Sequence, residues 1–388
     1  MRSPASLGTA PELAQAALLG LFTGDALAMP VHWYYRPSDI LRSFPPRGIT
    51  RMEAAPERHP SSIMSLHSTT AAGRSARATP QWGRSAKPPQ IVGDVILKGR
   101  AHHWGVAGTH YHHGMQAGEN TLNTWCARWL IEHLSEAGAY RCEDWFSVYE
   151  ERMVADPPAH PDTYAESYHR GFFANRVAGK PLLDCGAVSH DTPSMGALVT
   201  VLPVVLALLP TLSLGEVQAI CRQHVAVTHP DDQLLRVVDA YVALIDSLLS
   251  IGCDNTLDET SRSSAQRDAL VQAAGAIRGT RLGEMLAAAD KRPVGDAEVV
   301  GGRYSLACYI DDSWPSVCWL AARHGQDPHK AQIINANLGG ENAHRGAVLG
   351  SLSGLMSGKP STALVLQLHR QDDIETLVGA FVQRFVIA

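Results

Sequence analysis

The sequence predicts an all-α protein, and three observations carry that prediction. Helical periodicity recurs in window after window from residue 13 to residue 385. No stretch alternates apolar and polar residues in the manner of a half-buried strand. Hydrophobic residues make up 45% and charged residues 18%, enough apolar side chain to bury the faces such helices present.

The elements follow in order. Thr9-Ala10-Pro11-Glu12 reads as a capping box ahead of a helix over Leu13–Leu27. A helix over Thr121–Leu134 would place Leu122, Trp125, Trp129 and Leu130 on one side. Glu143–Val154 and Tyr164–Val177 carry similar patterns. Ser194–Leu209 is apolar nearly all round, which predicts a central buried helix with a kink at Pro203. Helices over Leu214–Val227 and Gln233–Leu249 are joined by Thr228-His229-Pro230-Asp231-Asp232, where His229 reads as a turn residue. Further helices are predicted over Ala265–Ile277, Arg281–Ala289, Trp314–Arg323, Pro328–Asn335 and Ala343–Met356, and a last one over Asp373–Phe385.

Residues 43–90 break the pattern. They are rich in Pro, Ser, Arg and His and have no period, too long for an ordinary connection. The expectation is a flap over a cleft or a partly disordered stretch. The helices on either side read as one core, so the prediction is one domain over residues 1–388 carrying that insertion.

Composition narrows the function. Thirty-three Lys and Arg against 38 Asp and Glu give a net charge of −5, which argues against a nucleic-acid backbone as partner. The N-terminal residues lack a secretory pattern, and the apolar run Met195–Leu209 is short of the roughly 18 residues of a membrane span. Seven scattered cysteines without a CxxC predict reduced thiols and a cytoplasmic setting.

Chemistry-bearing residues gather in four places. Asp25, in Gly24-Asp25-Ala26-Leu27, puts a carboxylate inside an apolar helix, where it must be paired or functional. The stretch from His110 to Thr121 includes His113, Gly114, Glu119 and Asn120 and leads into a helix, whose free N–H groups would converge with these side chains on one point. Gly339-Gly340-Glu341-Asn342-Ala343-His344-Arg345 leads into another helix, with Gly346, Gly350, Gly354 and Gly358 on one stripe that permits close packing. His190 and Asp191 precede the central helix and would face the same cavity. Gly-Glu-Asn occurs at 118–120 and again at 340–342. Two such helix starts would bring two carboxylates together for acid–base work or for a hard cation. The histidines at 102, 103, 110, 112 and 113 show no zinc-ligand spacing.

Five motifs in order resemble the ADP-ribosylglycohydrolase family. They are Gly20-Leu21-Phe22-Thr23-Gly24-Asp25-Ala26-Leu27, Gly118-Glu119-Asn120, Ala226-Val227-Thr228-His229-Pro230, Tyr309-Ile310-Asp311-Asp312-Ser313-Trp314-Pro315 and Asn337-Leu338-Gly339-Gly340-Glu341. The resemblance implies an orthogonal α-helical bundle with one cleft. It also implies a pair of Mg²⁺ ions and hydrolysis of a glycosidic bond to ADP-ribose. The chain departs from the family's acidic motifs. Thr-Asp-Asp-Thr is matched to Ala117, Gly118, Glu119 and Asn120, and Gly-Gly-Asp-x-Asp-Thr to Gly339, Gly340, Glu341, Asn342, Ala343 and His344. Two carboxylates stand in place of four, which implies one Mg²⁺ or none, with Glu119, Glu341 and His344 as candidate ligands. The 94 positions from Asp25 to Glu119 are also long for the family.

The resulting expectation is a hydrolase of an N- or O-glycosidic bond in an ADP-ribosyl or ribosyl-like substrate, either a small molecule or an ADP-ribosylated partner. Glu119 and Glu341 would be catalytic. Asp25, His113, Gly114, Asn120, His190, Asp191, Gly339, Gly340, Asn342 and Arg345 would hold substrate, with free N–H groups at Glu341 and Asn342 near phosphate. The alternative is a catalytically silent ligand-binding or structural protein on the same fold. A glycosidase or amidohydrolase acting on an unrelated metabolite also stays open.

Overall fold

The computed structural model describes residues 9–64 and 89–387. In chain order the helices are α1 (Ala10–Ala28), α2 (Pro37–Ser43), α3 (Leu122–Ala137), α4 (Cys142–Met153), α5 (Ser167–Val177), α6 (Val201–Leu208), α7 (Leu214–Ala226) and α8 (Asp232–Cys253). They continue with α9 (Glu259–Ala274), α10 (Leu282–Lys291), α11 (Asp296–Val299), α12 (Ile310–His324), α13 (Pro328–Leu338), α14 (Asn342–Ser357), α15 (Thr362–Val365) and α16 (Gln371–Val382). Among the described residues there is no strand, only isolated bridges such as Ser194 with Tyr309. The all-α prediction holds.

Local sequence starts these helices, at Thr9 as expected and at Asp231 by a cap that was not predicted. The Thr9 backbone N–H donates to Glu12 at 2.8 Å, completing the capping box of α1. Asp231 accepts from the N–H groups of Gln233 and Leu234 and caps α8.

The centre of the molecule is the pair α1 and α14, both buried over most of their length. Glycines set their closeness. A Cβ on Gly20 would lie 2.1 Å from the Gly350 carbonyl oxygen, and one on Gly24 would lie 2.0 Å from that of Gly346. No side chain fits between these backbones. The stripe read from the sequence is therefore a helix–helix seam, and it pins the N-terminal end of α14 against the C-terminal half of α1.

Several elements differ from expectation: α2 was not predicted, and α9 and α12 begin at Glu259 and Ile310 rather than at Ala265 and Trp314. The apolar run after Ser194 is a 3₁₀ helix over Met195–Thr200 followed by α6, not one kinked α-helix. Pro203 falls in the first turn of α6, where a missing N–H costs nothing, so it opens the α segment rather than bending it. The stretch Ala10–Val31 is long and apolar enough to cross a membrane, yet 94% of its apolar window is buried in this molecule. Its apolarity belongs to the core.

The irregular stretch after residue 43 is held by specific bonds as far as residue 64. Ile49 N–H donates to Asn337 Oδ1 at 2.9 Å, His59 N–H to the Gly108 carbonyl at 2.9 Å and Ile63 N–H to the Tyr111 hydroxyl at 2.8 Å. Half of the expected flap, residues 65–88, lies outside the described residues.

Candidate active site

The turn between α13 and α14 needs glycine twice. Gly339 and Gly340 have φ of +71° and +66°. A Cβ on Gly339 would sit 2.1 Å from the Tyr34 carbonyl oxygen, and one on Gly340 would sit 2.2 Å from that of Leu306. The turn is thus clamped between the loop after α1 and the segment before α12. Arg345 closes it from behind, with Nε donating to Asn335 Oδ1 at 2.7 Å and Nη2 to the Gly339 carbonyl at 2.8 Å.

This clamp fixes Glu341, the residue just ahead of α14. Its Oε2 accepts from Trp33 Nε1 at 2.8 Å. Its Oε1 meets His32 Nε2 at 2.9 Å and His344 Nδ1 at 2.7 Å. Behind His32, its Nδ1 is 2.8 Å from His112 Nε2, and His112 Nδ1 is 2.8 Å from Asp162 Oδ1. Asp162 also accepts from the N–H groups of Leu122 and Tyr164. Behind His344, Nε2 lies 2.9 Å from the Asn123 side-chain amide and 3.4 Å from Glu166 Oε1. Five imidazoles and carboxylates therefore run from Asp162 through His112, His32 and Glu341 to His344, all buried.

Their electrostatics follow from burial and neighbours. Burial would raise the Glu341 carboxyl, but His344 and His32 hold it well below the usual range. Burial opposes charge on His344, yet Glu341, Glu166 and Asp25 push its pKa up to about 9. His32 is lowered to about 4 by burial, against the pull of Glu341. Glu166 is raised to about 7, chiefly by burial, with Asp162 and Glu341 adding to it against His344. Glu341 with His344 is an ion pair, and Glu166 is a second carboxyl in a different state.

Glu341, His344 and Glu166 open onto a cavity of about 380 Å³. Its walls include Trp33, Tyr35, Tyr111, Tyr164, Tyr168 and Tyr309. Ser61 and Ile63, from the irregular stretch, also line it. His190 and Asp191 are there as expected, 3.0 Å apart, with Ser167 donating to Asp191 at 2.9 Å. Glu166 Oε2 is buried and has no hydrogen-bond partner.

Several residues predicted for this site lie elsewhere. Glu119 is not part of the cavity lining; its Oε2 accepts from the Gln116 N–H at 2.7 Å, and its Oε1 is 3.9 Å from His369. The two Gly-Glu-Asn carboxylates do not meet, because α3 begins two residues after Asn120 whereas α14 begins at Asn342 itself. Asn120 donates to Asp25 and to the Phe22 carbonyl. Asp25 accepts from Thr121 Oγ1 at 2.6 Å and Thr121 N–H at 2.8 Å, so it ties the start of α3 to α1, and it is not part of the cavity lining. Gly114 is exposed, and His113 packs on His103 at 4.7 Å between ring centres; neither lines the cavity. Gly339, Gly340, Asn342 and Arg345 also stand behind it. The expected free N–H groups are taken, Glu341 by the Leu306 carbonyl and Asn342 by the Gly340 carbonyl, both at 2.8 Å.

The residues that sequence reasoning missed are His32, Trp33, Asn123, Asp162 and Glu166, together with the inward role of His112. One signal was available. Thr121-Leu122-Asn123-Thr124 keeps both threonines of Thr-Asp-Asp-Thr and sits at the helix start, four positions beyond the match made on Ala117–Asn120. Asn123 is the residue of that stretch that reaches His344.

The family model for ADP-ribosylglycohydrolase matches residues 8–386, and the chain belongs to that family. A solved structure titled "ADP-ribosylglycohydrolase-related protein complex" shares the fold at a TM-score of 0.58 and 18% identity, covering 97% of this chain and 98% of that one. No curated protein matches the chain significantly. The family is generally hydrolytic and typically metal-dependent. A pair of Mg²⁺ ions would need about six oxygen ligands each. The donor atoms that converge here are two imidazole nitrogens and one carboxylate oxygen. The residues present do not fit a Mg²⁺ pair.

Proposed function

We propose that the chain hydrolyses an N- or O-glycosidic bond in a ribosyl-like substrate, at the cavity bounded by Glu166, Asp191 and Glu341. The observation that carries this reading is the placing of Glu166 and Glu341 on opposite nitrogens of His344, both opening onto one cavity. Two carboxyl groups in different settings can divide the work of glycoside cleavage. Both oxygens of Glu341 are engaged, so it acts as a fixed negative charge facing the positive charge that develops at the anomeric carbon. Glu166, whose Oε2 makes no hydrogen bond and lies 3.7 Å from His169 Nε2, exchanges the proton: it gives one to the leaving group as the bond breaks and regains one from the water whose hydroxyl adds to the anomeric carbon.

The walls favour a particular aglycone. Tyr35 and Tyr309 are 47% and 36% exposed at the rim, where a planar ring can stack. Among the described residues no Lys or Arg lines the cavity. That lining favours a ribosyl group on a planar, uncharged or cationic aglycone over the diphosphate of ADP-ribose.

The test is a panel of nucleosides, ribosides and ADP-ribosyl conjugates scored for release of the free sugar. Turnover is expected on a riboside, with Glu166→Gln lowering kcat by about 10²-fold or more. Full turnover in Glu166→Gln removes the assigned role. The second reading, a silent binder, is favoured by the complete engagement of Glu341; it would raise Tm with a riboside that is never consumed.

A further inference from the structure

The donor set that rejects a Mg²⁺ pair has a preference of its own. His32 Nε2 and His344 Nδ1 converge on one atom, Glu341 Oε1, and the three lie within 4.8 Å of one another. We propose that His32, Glu341 and His344 form a mononuclear site for a borderline divalent transition ion of the Zn²⁺ or Fe²⁺ type. This inference does not rest on the hydrolytic reading above.

Four features of the surroundings support it. Two imidazoles with one carboxylate suit first-row transition ions, whereas Mg²⁺ takes oxygen ligands. Each imidazole is backed on its far side. With His112 neutral and donating Nδ1–H to Asp162 Oδ1, its Nε2 can accept from His32 Nδ1. In that tautomer the lone pair of His32 Nε2 points at the centre. His344 Nε2 lies 2.9 Å from the Asn123 amide nitrogen and 3.4 Å from Glu166 Oε1; metal binding at Nδ1 would place the ring proton on Nε2, toward Glu166. Trp33 occupies Glu341 Oε2, which leaves Oε1 as a single ligand atom. Glu341 and His344 line the cavity, so the remaining coordination positions face the space where water or a sugar hydroxyl would enter. The zinc-type spacing absent from the sequence is absent because the ligands come from residue 32 and from residues 341 and 344, about 310 positions apart.

The experiment uses the full chain, stripped with chelator, dialysed and titrated with Co²⁺ as a spectroscopic probe, then with Zn²⁺ and Mg²⁺. Bound metal is counted by elemental analysis. One equivalent of Co²⁺ with a visible d–d band, displaced by Zn²⁺ and untouched by millimolar Mg²⁺, is expected. Glu341→Gln keeps the side-chain shape and should abolish stoichiometric binding. Asp162→Asn acts through His112 and should weaken Co²⁺ affinity by about 10- to 100-fold without changing stoichiometry. Circular dichroism checks that each variant is folded, and the wild-type titration stands without them. Absence of stoichiometric Co²⁺ and Zn²⁺ binding, undiminished binding in Glu341→Gln, or uptake of two equivalents of Mg²⁺ would overturn the proposal. Riboside turnover by metal-free chain overturns a catalytic need for the ion but leaves the hydrolytic reading; stoichiometric metal with no turnover on any glycoside does the reverse.

Discussion

The tripeptide Gly-Glu-Asn occurs twice, and the two copies do different things. At 340–342 the glutamate stands directly ahead of α14, with both oxygens held by His32, His344 and Trp33. At 118–120 the glutamate turns back onto the Gln116 N–H, and the asparagine holds Asp25. Both glycines have positive φ, so local backbone needs are alike. What differs is the offset to the helix: Glu341 abuts α14, while Glu119 is three residues before Leu122, the first residue of α3. A matching motif marks a matching site only when it sits at the same distance from the element that aims it.

The largest expected effect tests that comparison directly. Glu341→Gln should lower turnover by about 10²-fold or more, and Glu119→Gln should leave kcat and KM unchanged in the same assay. Equal losses would restore the pairing that the geometry denies.

Gly340→Ala and Gly118→Ala give the next test. A Cβ at Gly340 would meet the Leu306 carbonyl oxygen at 2.2 Å, and one at Gly118 would meet that of Gln367 at 2.2 Å. Each should cost about 1–3 kcal/mol in urea unfolding, from overpacking and backbone strain. Gly340→Ala alone should also lower activity in the folded fraction, because it displaces Glu341.

Asp25→Asn should cost about 1–3 kcal/mol, since an amide cannot accept all the bonds from Asn120 and Thr121 that the carboxylate takes. Its expected loss is in stability, with KM for a riboside unchanged; a large KM effect would return Asp25 to substrate binding.

The smallest effect lies far from the cavity. Burial works to raise the Asp296 carboxyl, but His324 Nε2 and Trp319 Nε1, each at 2.9 Å, hold it below its ordinary 3.8. A carboxyl with a depressed folded-state pKa contributes stability above its unfolded value and loses it as pH falls through the folded one. Asp296→Asn should therefore flatten the acid side of the stability curve below about pH 4 and leave the neutral-pH cavity chemistry alone. A change in riboside turnover at pH 7 would contradict that separation.

Much of the architecture was legible from local pattern. The capping box at Thr9, the amphipathic spacing of α3 and α8, and the glycine stripe of α14 each follow from interactions within a turn or two of helix. Pro203 was misjudged because whether a proline kinks or opens a helix depends on where the preceding turn ends. The site was half legible. Glu341, His344, His190 and Asp191 were read from the chain and open onto the cavity. Glu166 and Asp162 were not, because a lone acid between aromatic residues has no motif. His32 carried no local signal either, since its value lies in an oxygen 309 positions away.

The sequence by itself determined the all-α class, most of the long helices and the glycine stripe of α14 that permits a close approach. Side-chain periodicity and capping are short-range effects, complete within one element. Only the tertiary structure decided which acids meet. The glycine seam brings the start of α14 to the loop after α1, the Gly339–Gly340 turn aims Glu341, and burial together with neighbouring charges then shifts His344, Glu166 and His32. Those are long-range quantities, and they exist only once the helices have packed.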